Sequence, residues 1–180
     1  MVTKDLKRYS ERMLKAGATE VKVISPTDVV TALWVRWKCQ FGCGGYGHSY
    51  CCPPDTPTPE ETRKVLDGYR RALLCHIRTT VGPDRRGRLK AFLKALLALE
   101  REAFKDGYYK AFVFLAGPCV GCTECGKERK EPCTDRSGAR PAMEACGIDV
   151  FQTARNSGFA IQTLRTREEP LNTFGLMLVD

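Results

Sequence analysis

With 180 residues, 43% of them hydrophobic and 28% charged, the chain is long enough to bury a core and too apolar for a disordered tail. No run approaches the roughly 18 apolar residues of a membrane span. No apolar segment follows Met1–Arg8, so no secretory signal is read and a cytoplasmic location is expected. The formal net charge of +8 arises from Lys and Arg spread along the chain without a long block, so nucleic acid is not the expected partner.

Residues 2–16 carry Leu6, Tyr9, Met13 and Leu14 near i, i+3, i+4 spacing, which predicts an amphipathic helix stopped at Gly17. Residues 20–24 alternate as a half-buried strand does, and Pro26 breaks the run. Residues 29–37 are β-branched and aromatic and predict a second strand that delivers the chain to Cys39. The glycines and prolines of 39–57 then impose an irregular loop. Thr58, Pro59 and Glu61 form a capping-box pattern for a helix running to about Tyr69. A buried strand over 71–79, a long helix over about 86–105 closed by Gly107, and a strand over 109–116 follow. That last strand empties through Gly117 and Pro118 into Cys119. Pro141 opens a short helix through Ala145, and Asp149 with Gln152 caps a helix over about 150–157 closed by Gly158. Two final strands are expected over 159–165 and 173–179. The alternation predicts an α/β (α+β) fold in a single domain over 1–180, with a central mixed sheet, packed helices, and cysteine-rich loops at 39–57 and 117–147 lying at one end of the sheet.

Ten cysteines in a chain expected to sit in a reducing compartment point to metal or redox chemistry before disulfides. Cys119, Cys122 and Cys125 stand at steps of three, the run by which ferredoxin-type loops turn their thiolates onto an iron–sulfur cluster. Cys133 and Cys146 follow, and Cys39, Cys43, Cys51 and Cys52 form an earlier group. Cys75 lies alone in an apolar strand and reads as a small core residue. Adjacent side chains in an extended segment point opposite ways, so the Cys51–Cys52 pair supplies one ligand. Cys52, directly before Pro53 and Pro54, is taken as that ligand and Cys51 as packing. The metal ligands are then Cys39, Cys43, Cys52, Cys119, Cys122, Cys125, Cys133 and Cys146, enough for two [4Fe–4S] cubanes. Either Cys133 or Cys146 completes the triplet's cluster, and the other joins Cys39, Cys43 and Cys52. Zinc is the alternative: Cys39 with Cys43 and Cys122 with Cys125 fit zinc knuckles, although a knuckle has no use for Cys119. Gly42, Gly44, Gly45 and Gly47 either make turns or bring backbone N–H groups onto cluster sulfurs; Gly42, Gly44 and Gly47 are taken as cofactor-binding. His48 is a candidate ligand or proton donor against the plainer reading of a surface hydrogen-bonding residue. Arg140 and Glu144 are candidates to pair with each other or to cover a cluster, with no catalytic role assigned.

The pattern from Lys38 through Cys39, Gly42, Cys43, Tyr46, Gly47, Ser49 and Cys52 to Pro53 and Pro54, the Pro57–Thr62 segment, the Gly117–Cys125 run, Cys133, Arg140–Val150 and Phe174–Leu176 resembles the cysteine-rich predicted metal-binding proteins of archaea and anaerobic bacteria, the domain of unknown function 2284. The resemblance spans nearly the whole chain. It implies that the eight cysteines named above are the shared ones, and that Cys51 departs from the pattern. It implies metal binding and no reaction. Three functions follow as expectations: two [4Fe–4S] clusters passing electrons to a partner redox enzyme; an iron–sulfur enzyme or metal-cofactor handler with an open iron site, for which Cys51, His48 and Tyr46 are the first residues to test; or a zinc-stabilised interaction module.

Overall fold

In the computed structural model, which describes residues 4–180, the chain builds a four-stranded sheet with helices on both faces. Helix α1 (Lys4–Lys15) buries Leu6, Tyr9 and Met13 completely, while Leu14 stays 45% exposed on the opposite side. Residues 2 and 3 of the expected first helix lie outside the described residues. Strand β1 (Glu20–Ile24) and strand β2 (Ala72–Thr79) pair antiparallel, with Val21 opposite Cys75. Strand β4 (Leu171–Leu178) pairs with β2 on one side and with the short β3 (Phe112–Phe114) on the other, giving the order β1-β2-β4-β3. The class is α+β as expected, but every pairing in the sheet is antiparallel, whereas a mixed sheet was anticipated.

The two-residue period of β2 splits the core into two layers. Leu73, Cys75 and Ile77 face α1 and the long helix α4 (Arg85–Lys105), which contributes Phe92, Leu93, Leu96 and Leu99. Ala72 and Leu74 face the other layer, built from Leu66, Met143, Cys146, Ile148, Ala154 and Phe174. Helix α3 (Pro59–Leu66) starts on the capping box read from sequence: the Thr58 hydroxyl accepts from the Glu61 N–H, and the Glu61 carboxylate accepts from the Thr58 N–H. Helix α5 (Val150–Asn156) starts with Asp149 accepting from the Gln152 N–H at 2.9 Å.

Three segments differ from expectation, and two of them bear on the cysteines. Residues 29–37 are not a strand: only Thr31 makes a bridge, to Ile148, and Leu33–Gly42 is helix α2. The β-branched and aromatic side chains do not decide the matter, because Val35 alone of this helix is buried and Trp34, Trp37 and Phe41 are exposed. What holds the helix is tertiary. The Ala32 N–H donates to the Gly147 carbonyl, and the Arg36 guanidinium donates to the carbonyls of Thr56, Pro57 and Ala145. Cys39 therefore sits in the last turn of a helix instead of at a strand end. Residues 159–165 form no strand either; Phe159 and Ile161 bury their side chains against the second core layer without joining a sheet edge. The short helix expected over 141–145 is a 3₁₀ turn over Glu144–Cys146. Gly147 ends that turn at φ +76°, and a Cβ there would stand 2.4 Å from Cγ of Pro59, so only glycine fits.

Candidate metal centre

Helical geometry assembles the first cysteine group. Cys39 and Cys43 are four residues apart at the end of α2, one turn, so both thiols emerge on the same side. After the turn at 44–51 the chain returns with Cys52. A Cβ placed on Gly45 would lie 3.6 Å from the Cys43 sulfur and 3.9 Å from the Cys52 sulfur, in ordinary contact, so both sulfurs stand close to this glycine. Its N–H donates to the Cys43 sulfur at 3.4 Å. Gly47 has φ +78° and gives its N–H to the Pro53 carbonyl, and a Cβ on Gly42 or Gly44 would meet nothing within 4 Å.

The second group hangs from the exit of β3. Leu115 gives its N–H to the Pro141 carbonyl and accepts from the Met143 N–H, so both ends of the 117–140 loop are tied to one point on the sheet. Inside the loop, the Asp135 carboxylate accepts from the Gly138 N–H and the Ser137 hydroxyl. Added Cβ atoms on Gly121 and Gly138 would come within 2.9 and 2.4 Å of it, so these two glycines are what let the loop close on Asp135. Cys119, Cys125 and Cys133 are half-buried, and Cys122 is exposed.

The two loops lock onto each other. His48 pairs with Glu128, Lys127 pairs with Asp55, and the Tyr50 hydroxyl donates to the Glu131 carbonyl at 2.7 Å. At the centre Cys51 stands beside Cys119, with the backbone N–H groups of Gly121 and Arg140 near the Cys119 sulfur. Proximity to Cys51 lowers the Cys119 thiol against the opposing effect of burial. Proximity to Cys119, with burial, raises Cys51. The backbone N–H groups of Lys127 and Tyr50, from opposite loops, lower Cys125. The Ser49 side chain stands near both Cys52 and Cys125, where the two groups meet. Spacing gave no signal for Ser49, Tyr50, Asp55 or Lys127, whose roles exist only once the loops have met, nor for Asp135, which acts within its own loop.

Cys39 and Cys52 are raised by burial and then by neighbouring Cys43. Cys122 is raised by desolvation and then by Cys119, Cys125 and Cys133. Thiolates at such spacing repel one another and need a compensating cation. Cys133 therefore stands with the triplet. Cys146 stands elsewhere: it is fully buried in the second core layer, burial pushes its thiol up to about 12, and its neighbours are Arg36 and Thr62. Cys75, fully buried in β2, is likewise raised to about 12 by burial. Cys51, taken from the sequence as a packing residue, is buried beside Cys119. Arg140 pairs with Glu100 instead of Glu144. All ten thiols are unpaired with one another, and among the described residues no three His, Cys, Asp or Glu side chains close on one ion.

An all-thiol donor set drawn from two loops, with backbone N–H groups and a hydroxyl on its sulfurs, suits a soft or borderline metal. On that fit the residues that would hold it are Cys39, Cys43 and Cys52 in one group and Cys119, Cys122, Cys125 and Cys133 in the other. The chain belongs to the family described as predicted metal-binding protein (DUF2284), whose model matches residues 22–179. No curated protein and no solved structure matches it. No helix among the described residues is long and apolar enough to cross a membrane.

Proposed function

We propose that this metal-binding protein carries two [4Fe–4S] clusters, one on each cysteine group, and passes electrons to a partner redox enzyme. The observation that carries the reading is the junction of the two cysteine loops, closed by His48 on Glu128, Lys127 on Asp55 and Tyr50 on the Glu131 carbonyl, with Ser49 near both Cys52 and Cys125. Two thiol groups held close together are what a two-cluster electron path needs, and the exposed Cys43 and Cys122 put both groups near the surface. Bound clusters would supply one-electron redox chemistry. The chain's own residues hold the thiols in place, limit solvent at Cys51 and Cys119, and present N–H groups that favour the thiolate form.

A second reading has its own observation. Cys146, the other candidate fourth ligand, lies in the core behind α2. That leaves Cys39, Cys43 and Cys52 as three ligands, an arrangement suited to an iron with an open coordination position. The test is electron paramagnetic resonance of anaerobically prepared, dithionite-reduced protein with Cys43→Ser and Cys122→Ser variants. Each variant is expected to lose about half of the iron and one cluster signal. Loss of all metal from either variant, or no iron in the parent protein, overturns the two-cluster reading.

A further inference from the structure

We infer that the cleft beside the cysteine groups binds an organic phosphate of the nucleotide class, through a row of cations on α4 and an exposed indole on α2. The cleft encloses about 1360 Å³. Helix α4 forms one wall, α2 contributes Trp34 and Lys38, and Cys39, Cys119 and Cys122 lie on its lining. Small-molecule sites commonly occupy about 300–1,000 Å³, so a ligand of nucleotide size has room.

Arg86, Lys90, Lys94 and Arg101 all line this cleft from α4. Their spacing of four, four and seven residues keeps them within about a quarter turn of the helix, in a row about 22 Å long. Among the described residues none of the four side chains has a carboxylate partner, whereas Arg12 and Arg140 take up Glu102 and Glu100 of the same helix. Like charges at i, i+4 weaken a helix, so Arg86–Lys90–Lys94 does nothing for the fold by itself. An anion along the row changes that balance, since Lys and Arg are the side chains that bind phosphate.

Three carboxylates also border the cleft: Asp135, which accepts from Ser137 and Gly138, Asp149, which caps α5, and the half-buried Glu144. The cleft also offers ring surface. Trp34 is 44% exposed and Phe151 36% exposed, and the Lys38 ammonium stands 5.1 Å from the Trp34 ring centroid. Cations for phosphate groups and a partly exposed indole for a heterocycle together match a nucleotide better than a simple anion. The ligand would lie against Cys39, Cys119 and Cys122, at the candidate metal centre.

The test is anaerobic isothermal titration calorimetry of the full chain, with whatever metal it carries, against adenosine triphosphate, flavin mononucleotide and inorganic pyrophosphate. At least one of the two nucleotides is expected to bind with Kd below about 1 mM and more tightly than pyrophosphate. The Lys90→Ala/Lys94→Ala variant is expected to weaken it about tenfold or more, and Trp34→Ala to weaken the nucleotide while leaving pyrophosphate unchanged. Both lysines are exposed and alanine favours helix, so the double variant keeps its fold, which far-ultraviolet circular dichroism checks. No binding by either nucleotide, equal affinity in the double variant, or pyrophosphate binding as tightly as the nucleotides overturns the inference. Calorimetry does not read iron, so failure here and failure of the cluster reading are separate results.

Discussion

Glu100→Gln is the substitution whose effect the structure specifies most fully. Glu100 is 7% exposed and uses both carboxylate oxygens: Oε2 accepts from the Val113 N–H at 2.7 Å and from Arg140 Nε at 2.9 Å, and Oε1 accepts from an Arg140 terminal amino group. Arg140 also stacks over Phe112, 5.2 Å from its ring centroid, and its backbone N–H lies near the Cys119 sulfur. One buried pair therefore fastens α4, β3 and the cysteine loop together. Removing one member of such a pair costs about 3–5 kcal/mol because the other charge is left uncompensated. Gln keeps an acceptor for Val113, and Arg140 retains some solvent access, so about 2–4 kcal/mol is expected here. At roughly 2–4 °C per kcal/mol for a chain of this size, thermal unfolding followed by circular dichroism should shift down by about 5–15 °C. Metal retention should fall with it, through the displaced Arg140 N–H. Glu100→Leu combined with Arg140→Met should recover most of the lost stability, because a matched apolar pair leaves no orphan charge. A Glu100→Gln protein melting within about 1 °C of the parent would refute the reasoning.

Gly147→Ala should cost about 2 kcal/mol or more in urea unfolding, since φ +76° and the nearby Pro59 ring both oppose a Cβ. Cys75→Ala should leave the metal content unchanged while lowering stability by about 1 kcal/mol, because Cys75 is a fully buried core residue of β2; a loss of metal would contradict its placement. In metal-free protein Cys119 should be alkylated at a lower pH than an ordinary thiol, and Cys51→Ala, which removes the neighbour that lowers it most, should move that pH upward. His76, stacked on Phe174 with Nε2 bonded to Asn172, is lowered from 6.5, chiefly by burial. The unfolded chain then takes up this proton at a higher pH than the folded one. Its contribution is full above 6.5 and is lost as pH falls through the folded value. The melting temperature should drop less on acidification in His76→Phe than in the parent; equal drops would contradict this.

The elements that carry their own local signals were legible in the sequence. Helices α3 and α5 announced themselves by Thr58, Pro59, Glu61 and Asp149, and α4 by its apolar face. Helix α2 was not legible, because Arg36 holds it through carbonyls of residues 56, 57 and 145, contacts no local pattern can encode. Its residues favour a strand, and a tertiary anchor overrides that preference. At the site, spacing picked out the cysteines but was silent on the loop partners His48–Glu128, Lys127–Asp55 and Tyr50–Glu131. It also left Cys133 and Cys146 equivalent. They separate in space because Cys133 sits in the loop with the triplet, while Cys146 sits on the 3₁₀ turn that packs under α2.

The account stands most directly on the iron, acid-labile sulfide and zinc content per chain of protein prepared without oxygen. Two cubanes predict about eight iron and about eight sulfide with negligible zinc. Zinc in place of iron, with no sulfide, would contradict the account.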